Sequence, residues 1–228
     1  MSSVHIILVG ASGRMGARIA HHASLDARFS VTPITRSTID ARVDASRCVV
    51  IDFSSHDGAL RALKIAQNQR CALLIGTTGL PEGTLRALRE ASDRVAVLVT
   101  PNTSPGVAAV ADAGARLARA LGPHYTCAIT ETHHVHKKDA PSGTALRLAQ
   151  ALRDAGVDCP DDRIHAVREG EVIGTHTITL TGPGEVIELT HRATTRDLFA
   201  LGALRAGAWL AQQPPGWYTM ADSLRAGP

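Results

Sequence analysis

Hydrophobic and polar positions follow one rhythm over the first hundred residues of this chain and another after them. Residues 4–9 form an apolar run with a single polar interruption, the pattern of a parallel strand buried on both faces. Similar runs recur at 30–35, 48–53, 71–76 and 95–100, with helical patterns at 14–23, 57–69 and 81–92. Strands alternating with helices predict a parallel sheet with right-handed crossovers and ligands at the strands' carboxyl ends. Those ends carry Gly10, Thr35-Arg36, Phe53-Ser54-Ser55, Gly76-Thr77-Thr78-Gly79 and Pro101-Asn102-Thr103. Between Arg36 and Cys48 the connection is barely a dozen residues, so a pared-down loop with at most one helical turn is expected.

Beyond that block the pattern predicts a helix over 106–122, a strand over 125–134 and a helix over 142–155. Strands at 163–168, 175–181 and 185–192 and a helix at 197–212 follow. Thr177-Ile178-Thr179-Leu180 alternates, as in an antiparallel sheet with one buried face. The expectation is an α/β chain with a second, α+β domain inserted before its last elements.

Composition narrows the partners. Hydrophobic residues at 44% and charged residues at 20% are ordinary for a globular protein, and no apolar run reaches the roughly 18 residues of a membrane span. The segment before the first strand has no secretory pattern, which points to the cytoplasm. A net charge of +3 spread along the chain, with 3% aromatics, argues against nucleic acid. Cys48, Cys71, Cys127 and Cys159 form no CxxC pair and are expected as reduced structural thiols.

Two segments carry chemistry. The first strand runs straight into Gly10-Ala11-Ser12-Gly13-Arg14-Met15-Gly16. Here a tight turn, a close backbone approach and a close helix–strand contact suit a dinucleotide pyrophosphate. The second, His133-His134-Val135-His136-Lys137-Lys138-Asp139-Ala140-Pro141-Ser142-Gly143-Thr144, sets imidazoles and ammonium groups ahead of a turn that opens a helix. Cations and proton donors beside helix N–H groups suit a small, multiply anionic substrate that must be protonated. No cysteine or carboxylate stands at ligand spacing within this loop and its lysines repel a cation, so no metal is expected.

These segments resemble the dihydrodipicolinate reductase family. Gly10 to Gly16 is similar to its nucleotide loop, Gly76-Thr77-Thr78-Gly79 to its second cofactor segment, and the stretch from His133 to Thr144 to its longest signature. Asn102-Thr103-Ser104 departs from the family at Thr103, where a phenylalanine is usual. The resemblance implies a Rossmann-type dinucleotide-binding domain, residues 1–104 with 203–228, and an α+β substrate-binding and oligomerisation domain, residues 105–202, with a mixed or antiparallel sheet. It implies NADPH or NADH as hydride donor, a dicarboxylate substrate of lysine and diaminopimelate biosynthesis, and a homotetramer. Gly10, Ala11, Ser12, Gly13, Arg14, Met15, Arg36, Gly76, Thr77, Thr78, Thr100, Pro101, Asn102 and Thr103 become the cofactor candidates. His133 and Lys137 become the catalytic pair, and His134, Ser142, Gly143 and Thr144 the substrate contacts. Arg36 after the second strand, where an acidic residue would bind a ribose hydroxyl, favours NADPH, with Asp40 and Asp44 as alternative acidic partners. A reductase of another small dicarboxylate and a non-catalytic nucleotide-binding regulator are the alternatives.

Overall fold

The computed structural model describes residues 3–35 and 47–225. The chain divides into two compact units, Met1–Ser104 with Asp197–Pro228, and Pro105–Arg196. In the first unit, β1 (Val4–Val9), β2 (Phe29–Ile34), β3 (Cys48–Asp52), β4 (Ala72–Ile75) and β5 (Ala96–Val99) alternate with α1 (Arg14–Ser24), α2 (His56–Gln69) and α3 (Glu82–Ala91). All five strands are parallel and nearly every residue of β1, β3 and β4 is buried, which is why they read as unbroken apolar runs.

The second unit holds α4 (Pro105–Leu121), β6 (Thr126–His133), α5 (Gly143–Asp154), β7 (Ile164–Arg168), β8 (Thr175–Gly182) and β9 (Glu185–Arg192). Its sheet runs β7-β6-β8-β9, with β6 and β7 parallel and the other pairs antiparallel. Apolar residues of α4 and α5, among them Ala118, Leu148 and Leu152, cover Cys127, Ile129, Ile178 and Leu180 on one face. The opposite face is the threonine-rich half of the alternation.

The chain then returns to the first unit through α6 (Asp197–Leu210), β10 (Gly216–Tyr218) and α7 (Asp222–Arg225). β10 pairs in parallel with β5, giving the order β10-β5-β4-β3-β1-β2. Trp217 on this strand lies under the Arg89 guanidinium, 3.9 Å from the ring centre. The break at Pro214-Pro215 hid this short strand in the sequence. The return comes at Asp197, ahead of residue 203, where the family resemblance placed it. α6 begins at Asp197, whose carboxylate pairs with Arg18 of α1 and lies 3.5 Å from His22 Nε2. Residues 197–202 thus lie with the first unit.

One expectation about cysteine is corrected. Cys48 and Cys71 are bonded as a disulfide, with Cα atoms 5.0 Å apart. They precede the paired residues Val49 and Ala72 of neighbouring parallel strands, a proximity that 23 residues of separation conceal. Cys127 and Cys159 are free and buried. The connection after Arg36, including Asp40 and Asp44, lies outside the described residues.

Candidate active site

In the first unit the glycine turn is built as its spacing predicts. Gly10 has φ +84°, and a Cβ there would stand 2.4 Å from the Phe53 carbonyl oxygen. A Cβ on Gly16 would stand 2.1 Å from the Gly10 carbonyl oxygen, so α1 packs against the turn only because Gly16 has none. Gly13 caps α1 without a side-chain bond, and no acidic residue occupies the first turn. Ser12, Gly13 and Arg14 are exposed. Such a cradle, with helix N–H groups left to an anion, fits a dinucleotide pyrophosphate.

Beside it, Asp52 at the end of β3 is fully buried and accepts hydrogen bonds from the hydroxyls of Ser54 and Thr77, the latter at 2.6 Å. The Thr77 hydroxyl in turn accepts the Ser54 N–H at 2.8 Å. The loops after β3 and β4 are thereby joined, and burial pushes the Asp52 carboxyl up. Thr77 is thus committed within the protein, whereas Thr78 is exposed.

After β5, Thr100 donates to the Asn102 carbonyl oxygen at 2.7 Å, and Asn102 Oδ1 accepts the Ser104 N–H at 2.8 Å. Pro101 is exposed, but Thr103 is 1% exposed and donates to the Phe199 carbonyl oxygen at 2.7 Å. The Thr103 hydroxyl therefore ties this loop to α6. Arg36 lies outside the described residues.

In the second unit the site grows out of strand register. Facing residues on the helix-covered side form successive rows: Cys127, Leu180 and Ile187, then Ile129, Ile178 and Leu189, then Glu131, His176 and His191. Two rows are apolar and the third is titratable. His133 follows two residues after Glu131 on the same side, and its partner on β7 is Arg168.

At that end Glu131, fully buried, bonds His133 Nδ1 through Oε2. Its Oε1 accepts the Ser142 N–H at 3.1 Å and Arg168 Nη2 at 3.0 Å. Burial works to raise the Glu131 carboxyl, but Arg168 and His133 outweigh it and hold it below its usual range. His133 is 8% exposed; burial lowers its imidazole, Glu131 raises it, and Lys137 and Arg168 lower it further. The His176 ring meets His133 edge-on at 5.1 Å, and burial takes His176 down to about 4.

The loop beyond β6 is laced back by Arg168, which donates to the carbonyl oxygens of Lys137 and Asp139 at 3.3 and 2.5 Å. Lys137 Nζ bonds both Asp139 oxygens at 2.8 Å. His134 follows at the strand end with its N–H on the Val172 carbonyl oxygen at 2.6 Å, and His136 is exposed.

Ser142 is turned inward. It is the N-cap of α5, 2% exposed; its N–H goes inward to Glu131, its Oγ accepts the Ala145 N–H at 3.2 Å, and His176 Nε2 lies 3.2 Å from the same Oγ. A buried cap cannot also present its donors outward, so Gly143, which is exposed, and Thr144 form the turn's open side. The sequence reading missed Glu131, Arg168 and His176. A carboxylate two residues before His133, on the buried phase of the alternation, was the available signal for Glu131. Glu131 also supplies the carboxylate missing from the loop's spacing, since ligand atoms of Glu131, His133 and His176 lie within 4.8 Å of one another.

An open anion cradle in one unit and a buried set of proton-carrying groups in the other equip this chain as an oxidoreductase of the dinucleotide-fold class. Comparison with known proteins narrows the class. Models of the dihydrodipicolinate reductase N-terminus and C-terminus match residues 31–103 and 106–224. The chain is 40% identical to 4-hydroxy-tetrahydrodipicolinate reductase of Xanthomonas euvesicatoria, over 97% of this chain and 98% of that protein. It is 36% identical to the enzyme of the same name from Anaeromyxobacter dehalogenans, over 96% and 97%. A dipicolinate-bound dihydrodipicolinate reductase from Paenisporosarcina shares the fold, with a TM-score of 0.76 at 18% identity over 95% of this chain and 97% of that one. The chain belongs to the dihydrodipicolinate reductase family.

Proposed function

We propose that the chain reduces 4-hydroxy-tetrahydrodipicolinate to tetrahydrodipicolinate in diaminopimelate and lysine biosynthesis, with NADPH preferred over NADH. The observation that carries this reading is the His133–Lys137 loop set against the capped N-terminus of α5: two proton donors beside an anion-binding turn. The glycine cradle, with Ala11, Ser12, Gly13, Arg14 and Met15, would hold the dinucleotide pyrophosphate. Gly76, Thr78, Pro101 and Asn102 would line its continuation. When bound, the nicotinamide supplies a hydride to C4 of the substrate ring.

The chain's own residues supply the rest. The ring loses its hydroxyl as water and gains a hydride and a proton, so one acid must deliver that proton to the carbon beside C4. With Nδ1 held by Glu131, His133 is left to deliver it from Nε2. Lys137 clamps a substrate carboxylate or stands as a second donor; Asp139 now shares its ammonium, and a substrate anion displaces that pairing. Gly143 and Thr144 receive the other carboxylate at the positive end of α5, and His134 contacts the ring. Arg36 would meet the 2′-phosphate of NADPH. The protein acts in the cytoplasm as a homotetramer.

The test supplies fresh substrate from pyruvate and aspartate semialdehyde through a separate synthase and follows NADPH and NADH oxidation in parallel. Rapid, substrate-dependent oxidation with NADPH ahead is the expected result. Dinucleotide binding without oxidation would overturn the reaction, and an NADH preference would overturn the role of Arg36.

A further inference from the structure

We propose that Glu131 is the positioning residue of this site, a single buried carboxylate that sets both the His133 ring and the turn opening α5. The inference rests on the reading of His133 as the acid, and goes beyond it by naming what aims that acid. Three separate segments converge on this carboxylate. Oε2 takes His133 Nδ1 from the end of β6, while Oε1 takes the Ser142 N–H before α5 and the Arg168 guanidinium of β7. No apolar side chain could replace these contacts, since all three partners are donors.

Two consequences follow from the bonding. With Nδ1–H committed to Glu131, Nε2 becomes the working nitrogen of His133, and it keeps its proton only in the imidazolium form. That nitrogen lies against Gly174, where a Cβ would stand only 3.0 Å away, so a side chain at 174 would crowd it. The second consequence is coupling: a shift of the Ser142 turn reaches the His133 ring through one carboxylate. Glu131, His133 and His176 also bring ligand atoms within 4.8 Å, yet Oε1 is already occupied by a guanidinium and an amide. A cation placed there would face Arg168 from β7 and Lys137 from the loop. The carboxylate is therefore spent on orientation.

Among the groups facing His133, Lys137 (loop), Arg168 (β7) and His176 (β8) are cationic or neutral, with His191 (β9) beyond His176; Glu131 alone favours the charged imidazole. Glu131→Gln keeps the volume and removes the charge. We expect kcat to fall about 10- to 100-fold, with KM for the dinucleotide unchanged. The limb on which activity is lost as pH rises should move to lower pH. Glu131→Asp, which keeps the charge, should hold that limb nearer the parent position. Nitrogen-15 spectra of the His133 ring in the parent protein should show the Nδ1–H tautomer, and in Glu131→Gln a mixture.

Loss of melting temperature with the limb and the tautomer unmoved would overturn the proposal, leaving Glu131 merely structural. An Nε2–H tautomer in the parent would overturn it without need of any variant. The ring spectra require no turnover. A protein that fails to reduce the substrate yet shows the tautomer shift would sink the reaction while the hold of Glu131 on His133 stands.

Discussion

Among the described residues each unit buries one carboxylate toward the end of a strand, and the two are handled in opposite ways. Asp52 is surrounded by neutral donors, the hydroxyls of Ser54 and Thr77, and burial pushes its carboxyl up. Glu131 is surrounded by Arg168, His133 and a backbone amide, which hold its carboxyl down against the same burial. Hydroxyls stabilise a carboxylate by hydrogen bonding alone, whereas a guanidinium and an imidazole add charge. The first arrangement ties two loops together. The second keeps a charge in place beside groups that must carry protons.

The sharpest test of this division is Lys137→Ala. Turnover should fall about 10²- to 10⁴-fold while dinucleotide affinity, followed by nucleotide fluorescence, stays at the parent value. A parallel loss of dinucleotide affinity would erase the separation of roles between the units.

The next test pairs the two carboxylates directly in urea unfolding. Glu131→Gln leaves the Arg168 charge without its partner and should cost about 3 kcal/mol. Asp52→Asn can be met by rotating two hydroxyls and should cost no more than about 1 kcal/mol. Equal costs would mean that charge does not distinguish the sites.

Acid should separate the units as well. His176 has its folded pKa near 4, below the ordinary 6.5, so the unfolded chain binds more protons between those values. Stability present above pH 6.5 is lost as pH falls toward 4, by up to about 3 kcal/mol. Glu131, also depressed, adds a loss at lower pH, whereas the raised Asp52 favours the fold in acid and loses that contribution as pH rises through its folded value. Both tryptophans, Trp209 and Trp217, lie in the first unit. On acidification, circular dichroism should therefore change before tryptophan emission does. Coincident transitions would contradict this. His176→Gln should narrow the gap between the two signals.

The smallest effect concerns Thr103. Thr103→Val removes one buried hydroxyl donor and should cost about 1 kcal/mol in unfolding without changing NADPH affinity. A fall in affinity instead would return Thr103 to the cofactor surface.

These comparisons also show which information a one-dimensional pattern carries. The parallel strands were legible because burial on both faces writes itself as an uninterrupted apolar run. The cradle was legible because three glycines follow a strand at spacings with a steric meaning. His133 and Lys137 stood out because their residue types cluster within one loop. Arg168, His176 and His191 join the site only through register between strands far apart in the chain, and spacing does not encode register. The Cys48–Cys71 bond was hidden for the same reason. A cap and an outward donor look alike in sequence; at Ser142 the N–H is turned inward to Glu131 and the hydroxyl oxygen caps α5.

The chain's return to the first unit bears on how the protein is made. β10 and α6 come after the inserted unit, yet β10 forms one edge of the first sheet and α6 packs with that unit. On the ribosome, β1 to β5 emerge early but wait through the synthesis of residues 105–196 before α6 reaches them. The inserted unit, continuous in sequence, can finish folding while its host is still incomplete. During that interval the β5 edge is an open template, and a chaperone or a neighbouring nascent chain would find its exposed backbone there.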